Sequence, residues 1–196
     1  MFAAGLVTIT ALGLLVTHDW RISIALLSIQ YIGAFLFVSA SWPPGLAVSM
    51  LIAGWIAGAI MGMGILSVPE LHISFSRSYD KAHPSLGRLF YLLGAVLIGL
   101  ALVSNIPAAL QLIPSITAAH AWGALALLGL GLLKLGFNAS PFPSILGLLT
   151  VLSGFEILYS SLEISALLAG LLAGITLLLA LAGAYLLVMP YAEEDE

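Results

Sequence analysis

Long apolar stretches separated by short polar breaks run through the whole sequence. A helix that crosses a bilayer needs about 20 mostly apolar residues, and the chain supplies such stretches repeatedly. Prolines and charged residues mark the breaks, including a polar hairpin at 18–21, two prolines at 43–44 and the hydrophilic segment 67–85. The pattern predicts transmembrane helices at about 2–17, 22–41, 45–66, 88–105, 118–136, 143–161 and 164–189.

Composition narrows the class of protein. Of the 196 residues, 62% are hydrophobic and 7% are charged, and the mean hydropathy is +1.19. We expect an all-α integral membrane protein, with a single domain of about seven transmembrane helices at 1–189 and an acidic tail at 190–196. Because the first stretch lacks the basic flank of a signal peptide, we interpret it as a retained helix.

Charge and cysteine content limit the partners and cofactors. The net charge of −4 is weak evidence about partners, because four of the nine acidic residues lie in the tail. No basic run indicates nucleic acid, so the expected partners are the lipid bilayer and other membrane subunits. The absence of cysteine excludes disulfides and thiolate-held iron–sulfur clusters. The histidines have neither zinc spacing nor a facing pair for haem, so we expect no metal site and no cofactor.

The basic residues predict the orientation in the membrane. All five lie in or beside the loops that follow the first, third and fifth predicted helices: Arg21, Arg77, Lys81, Arg88 and Lys134. By the positive-inside rule this face is cytoplasmic, which puts the N-terminus outside and the acidic tail inside. We expect a bacterial plasma membrane or an equivalent energy-transducing membrane.

The acidic residue Glu156 stands inside the sixth predicted helix, with apolar residues on both sides. A charge in the hydrocarbon region costs several kcal/mol, and removal from water favours the neutral form of a carboxylic acid. A carboxyl group that can be neutral or charged according to its surroundings is what a proton relay requires. The alternative is a structural role, in which a protonated Glu156 hydrogen-bonds a neighbouring helix or reaches water.

Three further polar residues are candidate relay members. Lys134 lies near the cytoplasmic end of the fifth predicted helix, where its side chain could instead extend to the interface. His120 opens that helix on the outer side beside Trp122, an arrangement that is also typical of an interfacial anchor. Gln30 lies within the second predicted helix, where a buried amide more often links two helices.

Small residues at four-residue spacing predict close helix packing. Gly54, Gly58 and Gly62 form one stripe in the third predicted helix, and Gly170 and Gly174 continue a stripe from an alanine in the seventh. Such stripes let backbones approach within lipid. They could pack inside the bundle or form a docking face for another membrane subunit.

A weak internal similarity links two parts of the chain. The second and third predicted helices resemble the sixth and seventh in layout, since each pair has a Ser-Ile start, a central glycine and a short break. The central glycines are Gly33 and Gly154. The similarity indicates a possible duplication, although apolar sequence produces such matches easily.

The stretch "SPFPSILGLLTVLSGFEILYSSLEIS" resembles the second helix of subunit K of NADH-quinone oxidoreductase and its antiporter relatives. The family pattern of Gly, apolar, Glu and two apolar residues corresponds to 154–158, and the chain's size and helix count resemble hydrogenase-4 component E subunits. The resemblance implies that Glu156 belongs to a series of proton-carrying polar residues. The family's second carboxylate, one helix later, has no equivalent here.

Three functions follow as expectations. The leading one is a small membrane subunit of a complex I-like oxidoreductase, a membrane hydrogenase or a cation/proton antiporter complex, with Glu156 as a proton-relay residue and electron transfer in partner subunits. The second is a non-catalytic membrane scaffold or assembly protein. The third, a stand-alone small-solute transporter, is less favoured because the sequence does not indicate discontinuous helices at corresponding places in two halves.

Overall fold

A computed structural model of the chain describes residues 1–68, 85–137 and 140–192. This described part is all-α, as expected, and forms seven helices without a strand. They are α1 (Phe2–Val16), α2 (Trp20–Ser41), α3 (Pro44–Ser67), α4 (Ser85–Leu112), α5 (Ala118–Phe137), α6 (Pro141–Ser160) and α7 (Ala166–Ala192). Of the residues behind the predicted orientation, Arg77 and Lys81 lie outside the described residues, and the side chain of Arg88 is not described. The acidic residues 193–196 of the predicted tail also lie outside them.

Six of these helices, α2 to α7, are long and apolar enough to cross a membrane. They contain at least 20 residues each, which at 1.5 Å per residue matches the roughly 30 Å of bilayer hydrocarbon. Helix α1 is apolar but shorter, with 15 residues. The chain is therefore a multi-pass helical membrane protein whose apolar helices contact lipid.

The predicted spans correspond one to one to the helices of the described part, and the largest difference concerns α4. We predicted that this helix ends at residue 105, two residues before Pro107. Instead the helix continues through Pro107 to Leu112. A proline removes one backbone hydrogen bond, but the alanines and leucines that follow favour helix. Helix also satisfies the remaining backbone groups in a region without water. The same reasoning explains why α7 continues through Pro190.

The start of α7 also differs from the prediction. Ser160 and Glu163 have the spacing of a capping box, which predicts a helix that starts at Ser160, but the Ser160 hydroxyl donates to Ile157 O at 2.8 Å within α6. The residue before α7 is Ser165, whose Oγ accepts from Leu168 N at 3.4 Å. The spacing rule identified the break but not the capping residue, because Ser160 still belongs to the preceding helix.

The helices form two units of three, with α4 on the outside. Consecutive helices pack together within α1–α2–α3 and within α5–α6–α7. The two units also meet helix against helix, because α1 packs on α5, α2 on α6 and α3 on α7. Helix α4 packs mainly against α5 and also touches α1. The pair α2 and α6 therefore lies at the centre of the bundle.

Each helix of the first unit runs in the same direction as its counterpart in the second. Trp42 follows the end of α2, and its Nε1 donates to the backbone oxygen of Glu163, just beyond the end of α6, at 3.0 Å. Near the ends of α1 and α5, the Lys134 ammonium donates to the carbonyl oxygen of Leu14. Consecutive helices alternate in direction, so a second unit that followed directly after three helices would run opposite to the first. The additional helix α4 between the units gives both units the same direction. This is the arrangement that a tandem duplication joined by one helix produces.

Helices α5 and α6 approach each other most closely, through glycines. A Cβ atom on Gly131 would lie 3.0 Å from the carbonyl oxygen of Gly147, and one on Gly154 would lie 2.8 Å from that of Ala124. No larger side chain fits at these positions without separating the helices. Because residues turn about 100° each around a helix, Glu156 points roughly opposite to Gly154, away from α5.

Candidate functional site

Glu156 lies in the last turn of α6, in the interior of the bundle. Its side chain is 1% exposed. Within the described residues, neither of its carboxyl oxygens makes a hydrogen bond of good geometry. Two polar side chains from other helices lie close to it.

These neighbours are Thr176 of α7 and Tyr31 of α2. The Thr176 hydroxyl lies next to both the Glu156 carboxyl group and the Tyr31 hydroxyl. The Thr176 hydroxyl donates a hydrogen bond to Leu172 O, one turn earlier in α7, at 3.0 Å. Three helices from both units thus bring Tyr31, Glu156 and Thr176 together, and we call these three residues the central cluster.

Buried polar atoms without a partner are concentrated around this cluster. Within the described part of the chain, they belong to four residues, all on the central helices α2 and α6: Gln30, Tyr31, Ser153 and Glu156. Each such group lowers the free energy of unfolding by about 1–3 kcal/mol. By contrast, the buried hydroxyls of Thr10 and Thr150 each bond a carbonyl of their own helix. Among the described residues, the unmet hydrogen-bonding capacity therefore lies on the two central helices, within one turn of Tyr31 or Glu156 along the chain, and such a concentration is typical of a functional site.

No basic side chain of the described residues lies close enough to neutralise Glu156. The contact of Gly131 with Gly147 places Lys134 level with Ser144 in the antiparallel helix α6. Ser144 and Glu156 are twelve residues apart, or about 18 Å along the helix. The central cluster therefore consists of neutral hydroxyl groups around a single carboxyl group.

Lys134 has a structural position at the opposite end of the bundle. Its side chain is 4% exposed, and its ammonium group donates to Leu14 O in the last turn of α1. Carbonyls in the last turn of a helix lack partners within the helix, and a positive charge there is favourable. The Lys134 side chain is therefore buried, and the end of α1 supplies a hydrogen-bond acceptor for it inside the protein.

His120 is half-buried at the start of α5 and joins that helix to α2. Its Nε2 lies 3.1 Å from Phe37 O, and its Nδ1 lies 2.7 Å from the Thr117 hydroxyl. A carbonyl oxygen only accepts, so Nε2 carries the hydrogen, and in the neutral ring Nδ1 accepts from Thr117. Both ring nitrogens are occupied, Nε2 by a bond to α2 and Nδ1 by a local bond to the residue that precedes α5. Gln30, the remaining candidate, is fully buried in α2 beside Tyr31.

The two glycine stripes have different surroundings. In α3, a Cβ on Gly54 would collide with the Tyr31 ring, and one on Gly62 would lie 3.3 Å from Ile24. This stripe therefore packs inside the bundle against α2. A Cβ atom added to Gly170 or Gly174 of α7 would have nothing within 4 Å, so that stripe borders open space.

Sequence reasoning missed Tyr31 and Thr176. Both are hydroxyl residues within long apolar helices, in "SIQYIG" and "GITLLL". A hydroxyl in lipid needs a partner, and that requirement could have marked them. Only the packing of α2, α6 and α7 reveals that they share one carboxyl group.

Comparison with other proteins does not identify a relative. No protein-family model matches the chain, and no curated protein or solved structure gives a significant match. Among the described residues, no three His, Asp or Glu side chains could together hold a metal ion. Function is therefore inferred from the geometry of the central cluster.

Proposed function

We propose that the chain is a small membrane subunit of a proton-translocating assembly in which Glu156 takes up and releases a proton. The assembly is of the complex I-like, membrane hydrogenase or cation/proton antiporter class, with electron transfer or ion coupling in its partner subunits. The resemblance at 154–158 to the subunit K family supports this class.

One observation carries the proposal: Glu156 is buried between the two three-helix units, and among the described residues neither of its carboxyl oxygens makes a hydrogen bond of good geometry. A buried carboxyl group with a purely structural role is normally hydrogen-bonded, because an unmet polar group destabilises the fold. A relay group instead needs capacity to bind and release a proton. The cost of holding Glu156 here is consistent with a function that requires it.

The position of Glu156 gives it a short route to one end of the bundle. It precedes the last residue of α6 by four residues, or about 6 Å. Ser160 lies one turn further along that side of α6, and it is also buried. In the proposed orientation this end faces outward, so Glu156 exchanges its proton with the outer side through the Ser160 end of α6.

The proposal includes seven spans, an outer N-terminus and a cytoplasmic tail. Helix α1 lies along α5 and bonds residues near both ends of α5, since Trp122 Nε1 donates to Thr8 Oγ1 at 3.1 Å and Lys134 donates to Leu14. This supports α1 as a transmembrane helix despite its short length.

Because the chain has no cysteine, His18→Cys and Leu162→Cys each provide a unique label for a test of this topology. An impermeant maleimide applied to intact cells should modify only the second, and the reverse result would invert the topology.

The decisive experiment is Glu156→Gln, which keeps the shape of the side chain but removes its proton exchange. In cells carrying the variant in place of the native chain, we expect an assembled complex that no longer acidifies inverted membrane vesicles. Glu163→Gln is the matched control, because this acid is exposed in the turn beyond α6 and should leave acidification unchanged. Normal acidification by an assembled Glu156→Gln complex would refute the relay.

A non-catalytic scaffold is the second candidate, and the bonds of Lys134 and His120 favour it. Each of these side chains bonds a backbone carbonyl of another helix, which stiffens the bundle without chemistry. A scaffold predicts unchanged acidification by Glu156→Gln. A pull-down in mild detergent tests both subunit functions, because a chain that runs alone would contradict each of them.

A further inference from the structure

The Thr176 hydroxyl stands between two groups with different hydrogen-bonding needs. On one side is the Glu156 carboxyl group and on the other is the Tyr31 hydroxyl, which has no hydrogen-bond partner among the described residues. A threonine hydroxyl can donate one hydrogen bond and accept up to two. Thr176 now donates to Leu172 O at 3.0 Å, so its lone pairs remain for its neighbours.

A relay carboxyl group must be held in two protonation states that need opposite partners. The neutral acid has an O–H that requires an acceptor, whereas the carboxylate requires donors. In the observed arrangement Thr176 offers only an acceptor, which suits neutral Glu156. Rotation of the Thr176 hydroxyl away from Leu172 would turn it into a donor, which suits the carboxylate.

We propose that Thr176 switches its hydrogen bond with the protonation state of Glu156, and that Tyr31 supports it in the ionised state. With Glu156 neutral, the acid O–H donates to Thr176 Oγ1 while Thr176 donates to Leu172 O. With Glu156 ionised, Thr176 donates to the carboxylate and accepts from the Tyr31 O–H. Hydrogen bonds change partners in this switch, and no proton moves between these three side chains. This inference rests on the proposed function and makes Thr176 and Tyr31 positioning residues.

The fold holds Tyr31 where this role requires it. The bond from Trp42 to the Glu163 backbone brings the ends of the parallel helices α2 and α6 together. Tyr31 lies ten residues before the end of α2 and Glu156 four residues before the end of α6, so Tyr31 is about 9 Å further from this end of the bundle. Its ring covers Gly54 of α3, where a Cβ would collide with it. The ring therefore sits against the α3 backbone, with its hydroxyl directed to Thr176.

The test combines an infrared spectrum with proton translocation. The carbonyl stretch of protonated Glu156 is the band that disappears in Glu156→Gln, and its frequency falls when the acid O–H is hydrogen-bonded. Thr176→Val has the same shape without the hydroxyl, so we expect this band at higher frequency and vesicle acidification about tenfold slower. Tyr31→Phe should leave the band in place, because Tyr31 acts on the ionised state, but it should also slow acidification.

Two controls separate the switch from general damage. Thr176→Ser retains a hydroxyl and should restore both the band and the rate. Thr10→Val removes a buried hydroxyl that bonds a carbonyl one turn earlier in α1, at 2.9 Å, far along the chain from Glu156; it should change neither.

An unchanged band in Thr176→Val would overturn the switch even if Glu156→Gln abolishes acidification. Normal acidification in Glu156→Gln would refute the proposed function itself, whatever the band does. A Thr176→Val protein that fails to fold leaves Thr176→Ser and Tyr31→Phe as tests, since a normal rate in Tyr31→Phe also contradicts the switch.

Discussion

The two faces of α6 are built from different residues and have different properties. Toward α5, Gly147 and Gly154 bring backbones into contact, with a Cβ on Gly154 placed 2.8 Å from Ala124 O. Toward α2 and α7, Ser153 and Glu156 present buried polar atoms that have no hydrogen-bond partner among the described residues. Close glycine contacts are a main source of helix adhesion in lipid. One face therefore supplies stability that the other face, with its unmet polar groups, lacks.

A second contrast separates the glycine stripes of α3 and α7. The α3 stripe is covered by α2 and lies beneath Tyr31, while Gly170 and Gly174 of α7 border open space. The same spacing of small residues thus has different consequences in two helices. Whether a glycine matters depends on what lies opposite it, which gives matched substitutions with opposite outcomes.

Gly154→Ala should have the largest effect on stability. The added methyl group would press on the α5 backbone, and overpacking of this kind costs about 1–3 kcal/mol. We expect a clearly lower thermal unfolding midpoint in detergent. Gly170→Ala is the control, because nothing lies within 4 Å of its added methyl group. Equal midpoints for the two variants would contradict the difference between the glycine positions.

Gly54→Ala should disturb the central cluster through Tyr31. The new methyl group would displace the ring, so we expect slower vesicle acidification together with a loss of about 1 kcal/mol in stability. Gly58→Ala, one turn later in α3, meets Ile24 at an ordinary 3.6 Å and should leave acidification normal. If vesicle acidification is normal in both variants, the packing of the Tyr31 ring against Gly54 has no functional role.

Lys134→Met should have the smallest effect. It removes the charge at the end of α1 but keeps the length of the side chain, at a cost of about 1 kcal/mol in unfolding free energy. Acidification should be retained, because Lys134 lies about 18 Å along the helices from Glu156. Loss of acidification in a folded Lys134→Met protein would contradict this prediction and would indicate that Lys134 takes part in proton transfer.

Helix positions were largely predictable, and the site was predictable only in part. The apolar runs, with prolines and charges between them, predicted one helix for each helix that the structure describes. Glu156 stood out because a lone acid in an apolar run is costly. The continuation of α4 through Pro107 was not predicted, because the rule that proline ends a helix was weighed above the helix preference of the residues that follow.

The identity of each polar group's partner could not be predicted from spacing. Lys134 was expected at the interface or in a relay, yet it bonds Leu14 O of a helix about 120 residues earlier in the chain. Tyr31 and Thr176 are far apart in sequence and share Glu156 only because α2 and α7 both pack on α6. Contacts between distant segments depend on which helix faces meet, and single-sequence periodicity carries almost no information about this when every face is apolar.

Hydrophobicity along the chain was enough to establish a multi-pass helical membrane protein with a costly acid in one helix, because each of these properties is local. The arrangement of two three-helix units around α2 and α6 was decided by packing, and so were the glycine contacts of α5 with α6 and the central cluster. The reason is that in lipid all apolar helix surfaces are similarly compatible with their surroundings. Helix association therefore depends on shape and on a few polar groups that become neighbours only when the bundle forms.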